Sequence, residues 1–168
     1  MPDNATPVFL VDAYADPVVV RIDGRASFLN SGALKDFFSG LIRQGKRRFV
    51  VDFRQCASMD STFLGVLAGA AIELRRQNPP GQLTLARVGE RNLELIRNLG
   101  LHRLAIVDPG TQTADPMGAG QALTGQARTE VENARLMLEA HENLVATDPA
   151  NAAKFQDVLT FLKARLES

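Results

Sequence analysis

The chain has 168 residues, 45% of them hydrophobic, enough to bury a core without a metal or disulfide framework. Lysine plus arginine and aspartate plus glutamate number 19 each, so a formal charge of zero supplies no long-range field for nucleic acid or an anionic membrane. The single cysteine, Cys56, permits no intrachain disulfide and fits a reducing cytoplasm, and one tyrosine with no tryptophan argues against a stacking platform for single-stranded nucleic acid.

The first seventeen residues, MPDNATPVFLVDAYADP, lack a basic stretch followed by a long apolar run, so no signal peptide is expected. No uncharged apolar segment approaches the ~20 residues that span a bilayer. Val8–Val11 and Val18–Ile22 are short β-branched runs on either side of a Pro17 turn and read as a strand pair. Asp23-Gly24-Arg25 breaks that pattern. Asn30 or Ser31 then offers a cap for a helix with Leu34, Phe37, Phe38, Leu41 and Ile42 on one face, ended by Gly45. Arg48–Phe53 reads as a central strand, because Val50 and Val51 are both apolar, and Gln55–Met59 as a loop.

Thr62–Gln77 reads as the next helix, with Phe63, Leu67, Ala70, Ala71 and Leu74 at helical spacing. Gly65 and Gly69 lie four apart in it. Each costs about 1 kcal/mol of helix propensity against alanine, which close packing against a sheet would offset. Asn78-Pro79-Pro80-Gly81 stops the helix. A strand over Gln82–Arg87, a short helix over Glu90–Leu99 ended by Gly100, and a last strand over Leu104–Val107 complete the alternation. Such alternation implies an α/β fold, a small mixed or parallel sheet with helices packed on it.

The composition changes at Asp108. Residues 109–120 read as a linker and 121–168 as a helical hairpin. One apolar line runs Leu123, Ala127, Val131, Ala134, Leu138, Val145. The second runs Phe155, Val158, Leu159, Leu162, Leu166, started by Asp148 as cap and Pro149 at the first helical position. Two amphipathic helices alone leave apolar surface uncovered, so the hairpin is expected to dock on the first domain or on a second copy of the chain, a homodimer.

The chemistry concentrates at Met59-Asp60-Ser61-Thr62-Phe63-Leu64-Gly65. By local chemistry Ser61 is a helix N-cap and Asp60 a turn or cap residue. This segment, together with GERNLELIRNLGLHRL from Gly89 to Leu104 and the order of elements with Gly24 just after the second strand, resembles the STAS domain of bacterial anti-sigma-factor antagonists. The resemblance covers residues 8–108 and not the hairpin. It implies a STAS-like fold and a non-enzymatic regulator of transcription acting by partner switching. By the same resemblance Ser61 is the phosphoacceptor of a serine-kinase anti-sigma factor, and Asp60 and Thr62 position it. The unphosphorylated form binds that kinase, and a serine phosphatase resets the switch.

The chain departs from the family at two places. Phe63 stands where the family usually has glycine, and Gly24-Arg25-Ala26-Ser27 stands where it often has acids. Phe63, Gly24, Arg25 and Ser27 are therefore expected at the partner face, with Phe63 alternatively packing in its helix or under the hairpin. A different reading is a STAS scaffold without phosphorylation, such as a regulatory subunit of a transport or lipid-trafficking complex. Enzyme chemistry finds little support. His102 and His141 have no ligand spacing to each other or to Cys56, there is no phosphate loop, and Asp52 and Asp60 have no base or metal motif beside them, so neither metal nor cofactor is expected.

Overall fold

The computed structural model describes residues 8–108, 120–125 and 127–167. The strands are β1 (Phe9–Asp12), β2 (Val18–Ala26), β3 (Arg48–Met59), β4 (Gln82–Ala86), β5 (Ile106–Val107) and β6 (Gln121–Ala122). The helices are α1 (Phe28–Arg43), α2 (Ser61–Arg75), α3 (Glu90–Asn98), α4 (Glu130–Thr147), α5 (Asn151–Lys154) and α6 (Gln156–Glu167). The six strands form one mixed sheet in the order β5-β4-β3-β2-β1-β6. β2, β3, β4 and β5 run parallel, while β1 and β6 are antiparallel to their neighbours.

Alternation along the strands decides which face is buried. Val11 is in register with Val20, Val20 with Val51, and Val51 with Leu85, so these four form one apolar row across the sheet. Phe9, Ile22, Phe49, Phe53 and Leu83 extend the same buried face. Leu34, Phe38 and Ile42 of α1 and Phe63, Leu67 and Leu74 of α2 belong to the same core. β3 is central, paired in parallel with β2 and β4; on its opposite face Asp52 and the neighbouring Val19 are buried and Val50 is half-buried.

α1 starts earlier than Asn30. Its N-cap is Ser27, and Asn30 instead closes a capping box by accepting from the Ser27 backbone N–H. Ser31 donates its hydroxyl back to the Ser27 carbonyl. Residues 55–59 are not a loop. β3 continues through them beside β2, with register shifts between Arg21 and Asp23 and between Gly24 and Arg25 that let the long strand bend.

The C-terminal segment also differs from expectation. Residues 109–119 of the expected linker lie outside the described residues. Gln121-Ala122 is not helical but adds a strand to the β1 edge. The helix begins only at Glu130, where Thr129 and Glu132 form a second capping box. Its buried residues are Ala134, Leu136, Ala140, His141 and Leu144, whereas Val131, placed on the apolar line by sequence, is 52% exposed. Asp148 is the C-cap of α4 rather than the N-cap of the next helix, which starts at Asn151 with Ala150 as its N-cap. The Asp148 carboxylate accepts from the Ala150 N–H within the intervening turn, and the Asn151 side-chain amide ties that turn to the carbonyls of Leu99 and Leu144.

The C-terminal helices dock on the first domain of the same chain. α4 lies along α2, and α6 packs on α4. α2 is therefore enclosed between the sheet and α4, which explains why nearly all of its residues from Thr62 to Leu74 are buried. Gly65 and Gly69 face α4 rather than the sheet. A Cβ on Gly65 would stand 2.2 Å from the Ala140 carbonyl oxygen, so only glycine allows the two backbones to approach this closely. The Asn143 side-chain amide donates to the Gly65 carbonyl at 3.2 Å.

Candidate functional site

The site forms where β3 turns into α2. Asp60 has extended backbone geometry and is the N-cap of α2; its Oδ1 accepts from the Phe63 N–H at 2.9 Å. Its Oδ2 accepts from the Phe28 N–H at 2.8 Å, at the first residue of α1. One carboxylate thus serves two orphan donors at two helix N-termini and locks the helices together. With Asp60 as the cap, Ser61 becomes the first helical residue, and its hydroxyl is not used in capping.

That hydroxyl is held by α4. Ser61 Oγ lies 2.8 Å from Nε2 of His141, a residue only 3% exposed. The other ring nitrogen, Nδ1, lies 2.6 Å from the Met137 carbonyl. A carbonyl can only accept, so Nδ1 carries a proton; in the neutral ring Nε2 then offers a lone pair, to which the Ser61 hydroxyl donates. The ring of Phe155 stands edge-on to the imidazole at 4.8 Å and fixes its plane. Ser61 remains half-buried, and Thr62 beside it is 2% exposed.

A family model described as "Mlab, STAS domain" matches residues 9–108, more than half of the chain. The chain belongs to the STAS domain family. The unphosphorylated form of the anti-sigma factor antagonist SpoIIAA is similar in structure, with a TM-score of 0.51 and 19% identity, over 64% of this chain and 89% of that one. The phosphorylated form of the Bacillus cell fate determinant SpoIIAA gives a TM-score of 0.50 and 21% identity, over 59% of this chain and 89% of that one. At this identity the structural likeness shows a shared fold alone. No curated protein sequence matches the chain. The STAS match stops before β6 and the C-terminal helices.

Within the STAS domain, the other expected site residues divide by exposure. Arg25 is exposed and Gly24, at φ +107°, is half-exposed near the end of β2. Ser27 is 8% exposed and occupied as the α1 cap, so it offers no surface to a partner. Phe63 is corrected more strongly. It is fully buried in the core, stacked on Phe9 at 6.0 Å and edge-on to Phe53 at 6.3 Å, and so lies off the surface. A large apolar side chain in the first turn of a helix lying on a sheet gains more by filling the core than by facing water.

Asp52 is buried completely and forms a two-pronged ion pair with the Arg87 guanidinium, while also accepting from the Arg54 N–H. It therefore makes no pair with Asp60. Cys56 sits on β3, where burial pushes its thiol up to about 11. Among the described residues no group of three or more histidine, cysteine, aspartate or glutamate side chains could hold a metal ion, and no helix is long and apolar enough to cross a membrane. His141 is the site residue that sequence reasoning missed. It lies eighty positions from Ser61 in the chain, and an isolated histidine on an amphipathic helix carries no local signal of its partner.

Proposed function

We propose that this chain is a phosphorylation-controlled anti-sigma-factor antagonist of the partner-switching type, a binding protein and not an enzyme. Ser61 is the phosphoacceptor, Asp60 and Thr62 position it, and the unphosphorylated form binds a serine-kinase anti-sigma factor in the cytoplasm while a serine phosphatase restores it. The single observation carrying this reading is the place of Ser61 in the STAS domain. It follows the β3–α2 junction directly, its hydroxyl is free of capping, and Asp60 beside it is committed to holding the two helix ends.

The physical logic is electrostatic. A phosphate adds about −1.5 to −2 charges at Ser61. The positive end of α2 can tolerate that charge, although the Asp60 carboxylate already occupies part of it. A dianion buried at a partner interface is far less welcome, and a mismatch of roughly 3–4 kcal/mol there weakens binding about 10²- to 10³-fold.

Intact mass and fragmentation of the protein from its native cell should find phosphate on Ser61. A pull-down with the unphosphorylated chain should return an ATP-binding kinase, with calorimetry giving the affinity loss just stated. Equal affinity for both forms ends this reading. The engagement of Ser61 by His141, and Arg25 in place of an acid, favour a second reading: an unphosphorylated STAS scaffold or regulatory subunit of a transport or lipid-trafficking complex. Native preparations without phosphate that carry membrane components would establish that alternative.

A further inference from the structure

The C-terminal helices touch α2 at the serine itself. His141 takes the hydrogen bond of Ser61 at 2.8 Å, one helical turn along Ala140 meets Gly65 backbone to backbone, and Asn143 donates to the Gly65 carbonyl. Further out, Lys35 pairs with Glu139 and Arg128 with Asp36, tying α1 to α4 and to the segment before it. At the far end Lys154 donates to the carbonyl and side chain of Asn98, and Asn151 to the Leu99 carbonyl. The Lys35–Glu139 and Lys154–Asn98 contacts are exposed, the Asn151–Leu99 bond is buried, and the part-buried Ser61–His141 bond is the one that reaches the serine itself.

From this arrangement we propose that α4–α6 is a built-in cover over Ser61, latched by His141, and that the docked cover and a phosphate on Ser61 exclude one another. The inference rests on Ser61 being the phosphoacceptor. Its chemistry follows from the tautomer. The Met137 carbonyl accepts from Nδ1–H, so in the neutral ring Nε2 presents a lone pair that needs a donor. Phosphorylation by an ATP-dependent kinase transfers the γ-phosphoryl group to Oγ, with the hydroxyl proton passing to a base and ADP leaving, and at about pH 8 the resulting dianion has oxygens that only accept. It also sets their charge beside the Asp60 carboxylate and next to a ring that is almost entirely buried. A contact of 2.8 Å leaves no space for a phosphoryl group between Oγ and the ring. By linkage the coupling is reciprocal: what lifts the cover exposes Ser61 to a kinase, and what phosphorylates Ser61 keeps the cover lifted. Lifting it also uncovers the Gly65–Gly69 face of α2, a surface already shaped to receive a helix at close range.

The test uses the full chain with phosphoserine incorporated at position 61 during translation, so it needs no kinase. Amide hydrogen exchange is followed by mass spectrometry at about pH 8 in the phosphoserine and serine forms. In the phosphoserine form the α4 amides should exchange at least about 10-fold faster, with β2 and β3 unchanged as an internal check that the STAS domain is folded. Ser61→Ala, which removes the donor without adding charge, should loosen α4 less than the phosphate does. His141→Gln, which replaces the imidazole by a side chain able to donate, should shrink the difference between phosphoserine and serine forms. Unchanged or slower exchange in α4 on phosphorylation, the result expected if an imidazolium–phosphate pair tightens the cover, overturns the proposal. Loosening of α4 by an installed phosphate that the native protein never carries would leave the latch standing and remove the partner-switching reading. Phosphate found in native protein with no loosening would do the reverse.

Discussion

Asp60 joins two helices through two oxygens, and nearest-neighbour sequence shows only half of that arrangement. Its role at the start of α2 is legible in Asp60-Ser61-Thr62, an acid before an apolar helical run. Its bond to Phe28 crosses 32 residues and depends on β2 and β3 lying side by side. Asp60→Ala should therefore cost about 2 kcal/mol, more than one cap, read from urea denaturation; a loss near zero would mean that water replaces both bonds. Arg87→Ala should cost more, about 3–5 kcal/mol, because it leaves the fully buried Asp52 carboxylate without its cation. Cys56 gives a prediction in pH. Its folded value of about 11 stands above the ordinary 9.0, so the unfolded chain ionises first as pH rises. The thiol's contribution to stability is complete below about pH 9 and is lost between 9 and about 11. Iodoacetamide should accordingly alkylate the native protein at about pH 8 some 100-fold more slowly than the urea-unfolded chain.

At the scale of elements, the two glycines of α2 separate propensity from packing. Each lowers helix propensity by about 1 kcal/mol, which alone predicts that alanine stabilises. Gly65→Ala must instead push against the backbone of Ala140 and should destabilise by about 1–3 kcal/mol in thermal or urea unfolding. At Gly69 the added methyl meets the amide end of Asn143, which can swing aside at the loss of its bond to the Gly65 carbonyl; that loss of about 1 kcal/mol offsets the propensity gained, so Gly69→Ala should be close to neutral. Equal effects at the two positions would contradict the backbone contact. The sequence marks both glycines as anomalies in a helix, but their spacing does not say what approaches them. The same limit applies to α4. Its start is written in Thr129-Glu130-Val131-Glu132, a capping box, yet an apolar line drawn from Leu123 overrides that signal and misplaces the buried face. Two residues of that line lie before the helix, and Gln121-Ala122 is drawn to the β1 edge by backbone pairing that any side chain can join.

On the scale of the whole molecule, α4 shares the core of the STAS domain through Leu136 and Leu144, whereas α6 contributes only Leu162 as a buried residue. Native-state hydrogen exchange should therefore rank α6 as least protected, α4 as intermediate and β3 as most protected; α6 amides exchanging only through global unfolding would refute that order. The α/β alternation, the central strand, the family resemblance and the acid–serine cluster were all legible in the linear sequence, because periodicity and capping act over a few residues. The burial of Phe63 was open in sequence, since an aromatic residue in a first helical turn can face a partner, a neighbouring helix or the sheet beneath. Only the tertiary structure decided that α2 is enclosed between the sheet and α4, and that Ser61 is held by a histidine eighty residues away. Such contacts arise from the packing of distant apolar faces, and a single chain carries no local mark of which faces will meet.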